Sequence, residues 1–130
     1  MTDDIEGFAG VILGVAADRF EAMRRFYVEQ VGLTPQSSRE GHVAFSWGTP
    51  PDHVRLIVAA HSDVTGANPD PARVMVNLLT HNIERAAARM RAAGVDIDGP
   101  RAQSWGGWIA TFHDPDGNTV QLLQPASGVG

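Results

Sequence analysis

The sequence predicts an α+β domain made from one structural unit used twice. Two observations carry this. The order apolar strand, capped helix, strand, turn, strand occurs over residues 8–61 and again over 73–126, with an aperiodic linker at about 62–72. The segments Val11–Asp18 and Met75–Asn82 also align without a gap, and Val54-Arg55-Leu56-Ile57 matches Val120-Gln121-Leu122-Leu123 by side-chain class. One unit alone has too few layers to bury its sheet face, so the two together are expected to form a single domain over 1–130.

The elements follow in order. Phe8–Ala17 is an apolar run stopped by Asp18 and reads as a buried strand. Asp18 and Glu21 have the spacing of a capping box. Phe20, Met23, Phe26, Tyr27 and Val31 then recur at helical spacing, predicting a helix over Arg19–Val31 that ends at Gly32. His42–Trp47 and His53–Ala60 are strands joined by the turn residues Gly48–Asp52. In the second unit Val74–Thr80 is a strand, Asn82 an N-cap, Ile83–Ala93 a helix and Gly94 its stop. Val95–Ile97 reads as a short strand. Gly107–His113 and Thr119–Gln124 form a hairpin about Asp114–Asn118, and the tail Pro125–Gly130 is expected to fray.

Composition narrows the function. With 43% hydrophobic and 19% charged residues, the chain can build a core. No apolar run reaches the roughly 20 residues that span a bilayer, and Met1–Gly7 is acidic, unlike a signal peptide. There is no cysteine, which removes disulfides and thiolate chemistry. These features predict a cytoplasmic protein without a membrane partner. The net charge is −5 and the arginines do not form a basic cluster, so nucleic acid is not an expected partner.

Several segments resemble the glyoxalase/bleomycin-resistance/dioxygenase (vicinal oxygen chelate) superfamily. In the second unit they are Asn82-Ile83-Glu84, Ala92-Ala93-Gly94-Val95 and Phe112–Leu122, with its Asp-Pro-Asp-Gly-Asn turn. In the first they are Gly10–Asp18, Phe26-Tyr27 and Val31-Gly32-Leu33. The resemblance implies two βαβββ modules forming a cupped mixed sheet, with helices outside and a ligand cavity inside. It also implies a homodimer, in some members with modules exchanged between chains. Metal-dependent members take one divalent ion from a His, Glu or Gln on each module's first and last strands. Carried onto this chain, those positions are Val11, Arg55 or Ile57, Met75 and Gln121. Valine has no donor, methionine offers a soft thioether, and a guanidinium is a cation. Only Gln121 supplies an oxygen, so neither metal nor another cofactor is expected.

Strand alternation then selects cavity candidates. Gln121 lies between Val120 and Leu122, Arg55 beside Leu56, and Asn77 shares parity with Met75; all three are expected to face one cavity with Met75 and Val11. The bland alternative is a dry core in which these groups bond to each other. Trp47 at the first hairpin, and Trp105 and Trp108 about Gly106-Gly107, can stack on an aromatic ligand or face a cation; for Trp108 the alternative is packing into the core or dimer seam. His61 and His81 read as exposed, His113 as holding its turn, and His42 and His53 as a pair across the first hairpin. No residue is assigned a catalytic role. The leading reading is a metal-free homodimer binding a small aromatic or cationic molecule, such as an antibiotic. The alternatives are a lyase, isomerase or dioxygenase-like enzyme of the same fold with altered chemistry, and a structural or regulatory dimer with a closed cavity.

Overall fold

The computed structural model describes residues 4–126. The first module holds β1 (Gly10–Val15), β2 (Ser37–Arg39), β3 (His42–Trp47) and β4 (Val54–Ala60). The second holds β5 (Met75–Leu79), β6 (Asp98–Ala102), β7 (Trp108–His113) and β8 (Thr119–Gln124). They form two four-stranded mixed sheets, ordered β1-β4-β3-β2 and β5-β8-β7-β6. In each, the first and last strands of the module pair in parallel and the other pairs are antiparallel. This repeated α+β architecture is the one the duplicated sequence predicts. Within the described residues β1 and β5 each keep one unpaired edge.

Helical segments cover one face of the sheets. Ala17–Arg19 is a 3-10 turn, α1 runs Phe20–Arg25, and a π-helical stretch continues over Phe26–Val31 to Gly32, at φ 88°. The wider π turn lets Phe26 and Tyr27 both point inward beside Phe20, Met23 and Val31. α2 spans Ile83–Ala92 and buries Ile83, Ala87 and Met90. Asn82 caps it by accepting from the Arg85 amide at 3.1 Å. One core runs through both modules, joining Leu13, Val15, Val43, Phe45, Leu56 and Val58 to Ala110, Phe112, Val120 and Leu122.

Four expectations need correction. Asp18 makes no capping bond, because the chain enters its helix through a 3-10 turn at Ala17–Arg19. Val95 and Ile97 are not a strand; they are buried loop residues, and β6 starts only at Asp98. The short strand β2 carries Ser37, Ser38 and Arg39, with no apolar alternation to reveal it. The gapless alignment of Val11–Asp18 with Met75–Asn82 is off by one in sheet parity. Val11 lies on the side of Leu13 and Val15, against the core, whereas Met75 lies opposite Val76 and Leu78. A one-residue slip reverses a strand's faces, and the extra 3-10 turn of module one supplies it. Of the expected frayed tail, residues 127–130 lie outside the described residues.

Candidate functional site

Cross-strand register defines the face each sheet turns away from the helices. On the first sheet, Ser46 stands opposite Arg55, Ala44 opposite Ile57, and His42 opposite both Ala59 and Arg39. Ile12 joins them from β1, beside Ile57. On the second sheet, Asn77 pairs with Gln121 and Gln121 with Thr111, flanked by Met75, Thr119 and His113 and by Leu79, Leu123 and Ile109. Arg55, Asn77, Gln121 and Met75 are therefore all on open faces, and Val11 is not.

Two hollows meet at the starts of β1 and β4. The larger, about 820 Å³, lies on the open face of the first sheet and is lined by Phe8, Gly10, Ile12, His53, Arg55 and Ile57, with Glu6 and Asp52 also on its wall. The second, about 460 Å³, is an apolar groove where that end of the first sheet faces β5. Trp47, Val54, Leu33 and Leu56 form one wall, and Met75, Asn77 and Leu79 belong to the other. Phe8, Val11, Val54 and Arg55 border both hollows. These volumes suit a small organic ligand.

Gly10 fixes where Arg55 stands. A Cβ on Gly10 would overlap the Arg55 backbone carbonyl, and its φ of 143° is open to glycine alone. β1 therefore lies close against β4 at this point, and the Arg55 amide donates to the Ala9 carbonyl at 3.0 Å. The Arg55 side chain has no carboxylate within ion-pair distance among the described residues, and its Nε is buried without a hydrogen-bond partner. The Nδ1 atoms of His42 and His53 are likewise buried and unpartnered. Burial, then the charges of Arg39 and Arg55, hold the His42 pKa below its ordinary value. His42 and His53 do not pair across the hairpin: His42 opens β3, while His53 precedes the Val54 that faces Trp47 at the other end.

The remaining candidates lie elsewhere. Gln121 donates from Nε2 to Thr111 Oγ1 at 3.2 Å and borders neither hollow. Trp105 is exposed and folds over Gly107, where its ring leaves no room for a Cβ. Trp108 begins β7 opposite Gln124, away from both hollows. His113 is exposed; its turn is held by Asp114. Strand parity with Met75 and Asn77 puts Leu79 on the cavity face, as found; sequence reasoning missed Phe8 and Val54 because each reads as an ordinary strand apolar. Their signal is exposure at 70% and 39%, which no pattern of residue types reveals.

A divalent ion does not fit this arrangement. The open-face positions carry Arg55, Ile57, Met75, Asn77 and Gln121, and no three His, Asp or Glu side chains converge among the described residues. Arg55 adds a fixed positive charge to the first sheet's open face, which disfavours a cation there.

The fold defines a class: a two-module protein of cupped mixed sheets with helices on the outer face. Within that class the chain belongs to the glyoxalase-like domain family, whose model matches residues 12–123, in the glyoxalase/bleomycin-resistance/dioxygenase superfamily. Among solved structures it is similar to a putative glyoxalase family protein from Bacillus anthracis, with TM-score 0.75, 18% identity, and coverage of 96% of this chain and 99% of that one. A glyoxalase/bleomycin resistance protein/dioxygenase from Nocardioides gives TM-score 0.74 at 21% identity, covering 98% and 89%. TnmS3, an antibiotic binding protein from Streptomyces sp. CB03234, gives TM-score 0.66 at 27% identity, covering 96% and 100%. No curated protein matches this sequence.

Proposed function

We propose that this protein binds a small molecule in the joined hollows about Arg55, without a metal ion, and that it works as a cytoplasmic homodimer. The observation that carries the reading is that an open-face hollow and an apolar groove adjoin at Phe8, Val54 and Arg55, whose Nε is buried without a hydrogen-bond partner. A mostly apolar cavity with a few polar groups is the usual form of a small-molecule site. The likeness to an antibiotic binding protein supports the same class of ligand. Ile12, Met75 and Leu79 are exposed on or beside the free edges of β1 and β5. Such apolar edges favour a second copy as their cover. Among the described residues no helix is long and apolar enough to cross a membrane.

The test is a thermal-shift screen of the protein against a panel of aromatic antibiotics, run with and without added nickel, zinc or manganese. A ligand present at about 100 times its Kd stabilises the folded state by about 2.7 kcal/mol, a readable shift. Stabilisation that appears only with metal, or turnover of the compound, would replace this reading with an enzymatic one. Stabilisation by none of the panel favours a closed dimer. Sedimentation at micromolar concentration reads the oligomeric state directly.

A further inference from the structure

We infer that the ligand is an aromatic acid: its carboxylate seats on Arg55 and its flat body lies in the adjoining groove beside Trp47. This rests on the binding reading above and adds the chemistry of the bound group. The first sheet's open face carries two guanidiniums, Arg39 and Arg55, and no strand position on it holds an acid, so its fixed charges are positive. Glu6 and Asp52 also line the larger hollow, but both are exposed, and neither is within ion-pair distance of Arg55.

Every arginine whose ion pair is present elsewhere has an acid of its own: Arg19 with Asp116, Arg24 with Glu21, Arg25 with Glu29, Arg73 with Asp70 and Arg101 with Asp98. Arg89 and Arg91 instead donate to backbone carbonyls. Among the described residues Arg39, Arg55 and Arg85 have neither, but Arg39 and Arg85 are exposed, whereas Arg55 is half-buried with its Nε shut off from solvent. An uncompensated buried cation is costly, and a carboxylate compensates it through charge-assisted hydrogen bonds. The negative charge of the whole chain suggests a cationic ligand, but it is spread over exposed acids. At the hollow itself Arg55 is the one fixed cation of the lining, Glu6 and Asp52 are exposed and outside ion-pair distance of it, and at contact range the nearest charge decides.

The groove fixes the rest of the molecule. Beyond Arg55 its walls are Trp47, Val54, Val74, Met75 and Leu79, which offer a flat indole and aliphatic surface to a ring. The Asn77 side chain belongs to the β5 wall and supplies a neutral hydrogen-bonding group there.

Three isosteric probes test this by calorimetry on the full chain: 2-naphthoate, 2-naphthamide and 2-naphthylmethylammonium. Naphthoate is expected to bind about tenfold or more tightly than the amide, with the ammonium weakest. In Arg55→Gln the naphthoate advantage should vanish while amide binding stays. Equal affinity for the three probes, or an advantage retained in Arg55→Gln, overturns the inference and leaves the binding site standing. The wild-type comparison needs no variant, so it decides even if Arg55→Gln folds poorly. If none of the probes binds up to its solubility limit, the aromatic-acid inference falls, and the binding reading is decided separately by the antibiotic screen.

Discussion

The two modules close their last hairpins in opposite ways. In module two, the turn Asp114–Asn118 is drawn into the interior. Asp114 Oδ1 accepts from the Asp116 and Asn118 amides, both at 3.0 Å, and Oδ2 accepts from the Tyr27 hydroxyl at 2.7 Å and Asn118 Nδ2 at 2.9 Å. Arg19 reaches across from module one to Asp116 at 2.7 Å, and Asn68 in the linker donates to Asn118 at 2.7 Å. In module one, the matching turn Gly48–Asp52 is exposed and is held by the Asp52 amide donating to the Thr49 carbonyl at 2.9 Å. Its neighbours Trp47 and His53 border the hollows. A duplicated unit thus divides its labour. One hairpin end ties the two modules and the linker together, which leaves the other free to form the rim of the site.

Removing the buried carboxylate should show the largest effect. Asp114→Ala leaves the Tyr27 hydroxyl, Asn118 Nδ2 and two amides without their acceptor. Buried donors left unpaired cost enough that a loss of roughly 3 kcal/mol or more is expected. The melting midpoint should fall by about 10 °C, read by circular dichroism. A midpoint within a degree or two of the parent would show that the two turns are alike after all.

Tyr27→Phe sharpens the same contrast, since it removes one of the four donors to Asp114. The expected loss is about 1–2 kcal/mol. Burial first, then the charge of Asp114 and its hydrogen bond, push the Tyr27 pKa well above the ordinary 10.0. The folded protein therefore keeps this proton when the unfolded chain has lost it. The resulting stability is complete below pH 10 and declines as pH rises beyond it. Tyr27 is the only tyrosine, so Tyr27→Phe should remove that part of the alkaline decline. An unchanged alkaline limb in denaturant titrations would mean that the hydroxyl is not held as described.

The free end predicts the reverse pattern. Trp47 is 45% exposed, so Trp47→Ala should cost less than about 1 kcal/mol of stability. It removes a wall of the groove, however, and naphthoate affinity should fall about tenfold if the ring stacks there. Lost stability with unchanged affinity would make Trp47 a structural residue and shift the site away from this hairpin.

Much of the fold was legible because burial and sequence period coincide. Phe20, Met23, Phe26, Tyr27 and Val31 are all buried, and the boundaries His42–Trp47 and Thr119–Gln124 are those the alternation predicts. What escaped had no apolar period: β2, with its two serines and an arginine, and β6, whose Gly99 and Pro100 interrupt any alternation. The site was legible only in part. Arg55 stands out because a cation interrupts an apolar strand, and parity with Leu56 gives its face. Parity within a strand cannot say where two sheets lie relative to each other. Asn77 and Gln121 share a face, yet only Asn77 reaches the groove, because Gln121 is one strand further from the free edge. The most distinctive motif, Asp-Pro-Asp-Gly-Asn, turned out to anchor the core.

The smallest effect is expected at His42, on the open face of module one. Burial, and then Arg39 and Arg55, lower its pKa from 6.5. Below that value the unfolded chain takes up a proton that the folded protein resists. The neutral imidazole thus contributes stability that is present above pH 6.5 and is lost as pH falls through the lower folded value. His42→Gln should flatten the acid limb of the stability profile over that window and leave the alkaline limb, set by Tyr27, untouched. The sign of the ligand effect follows from the same charges. A carboxylate bound at Arg55 offsets one of the two cations that disfavour protonation, so naphthoate should move the His42 titration upward, toward 6.5, when followed by the NMR shift of its ring proton. A downward movement, or none at saturating naphthoate, would show that the bound acid sits beyond the reach of this face, and the contrast between a tied and a free hairpin would then lose its functional half.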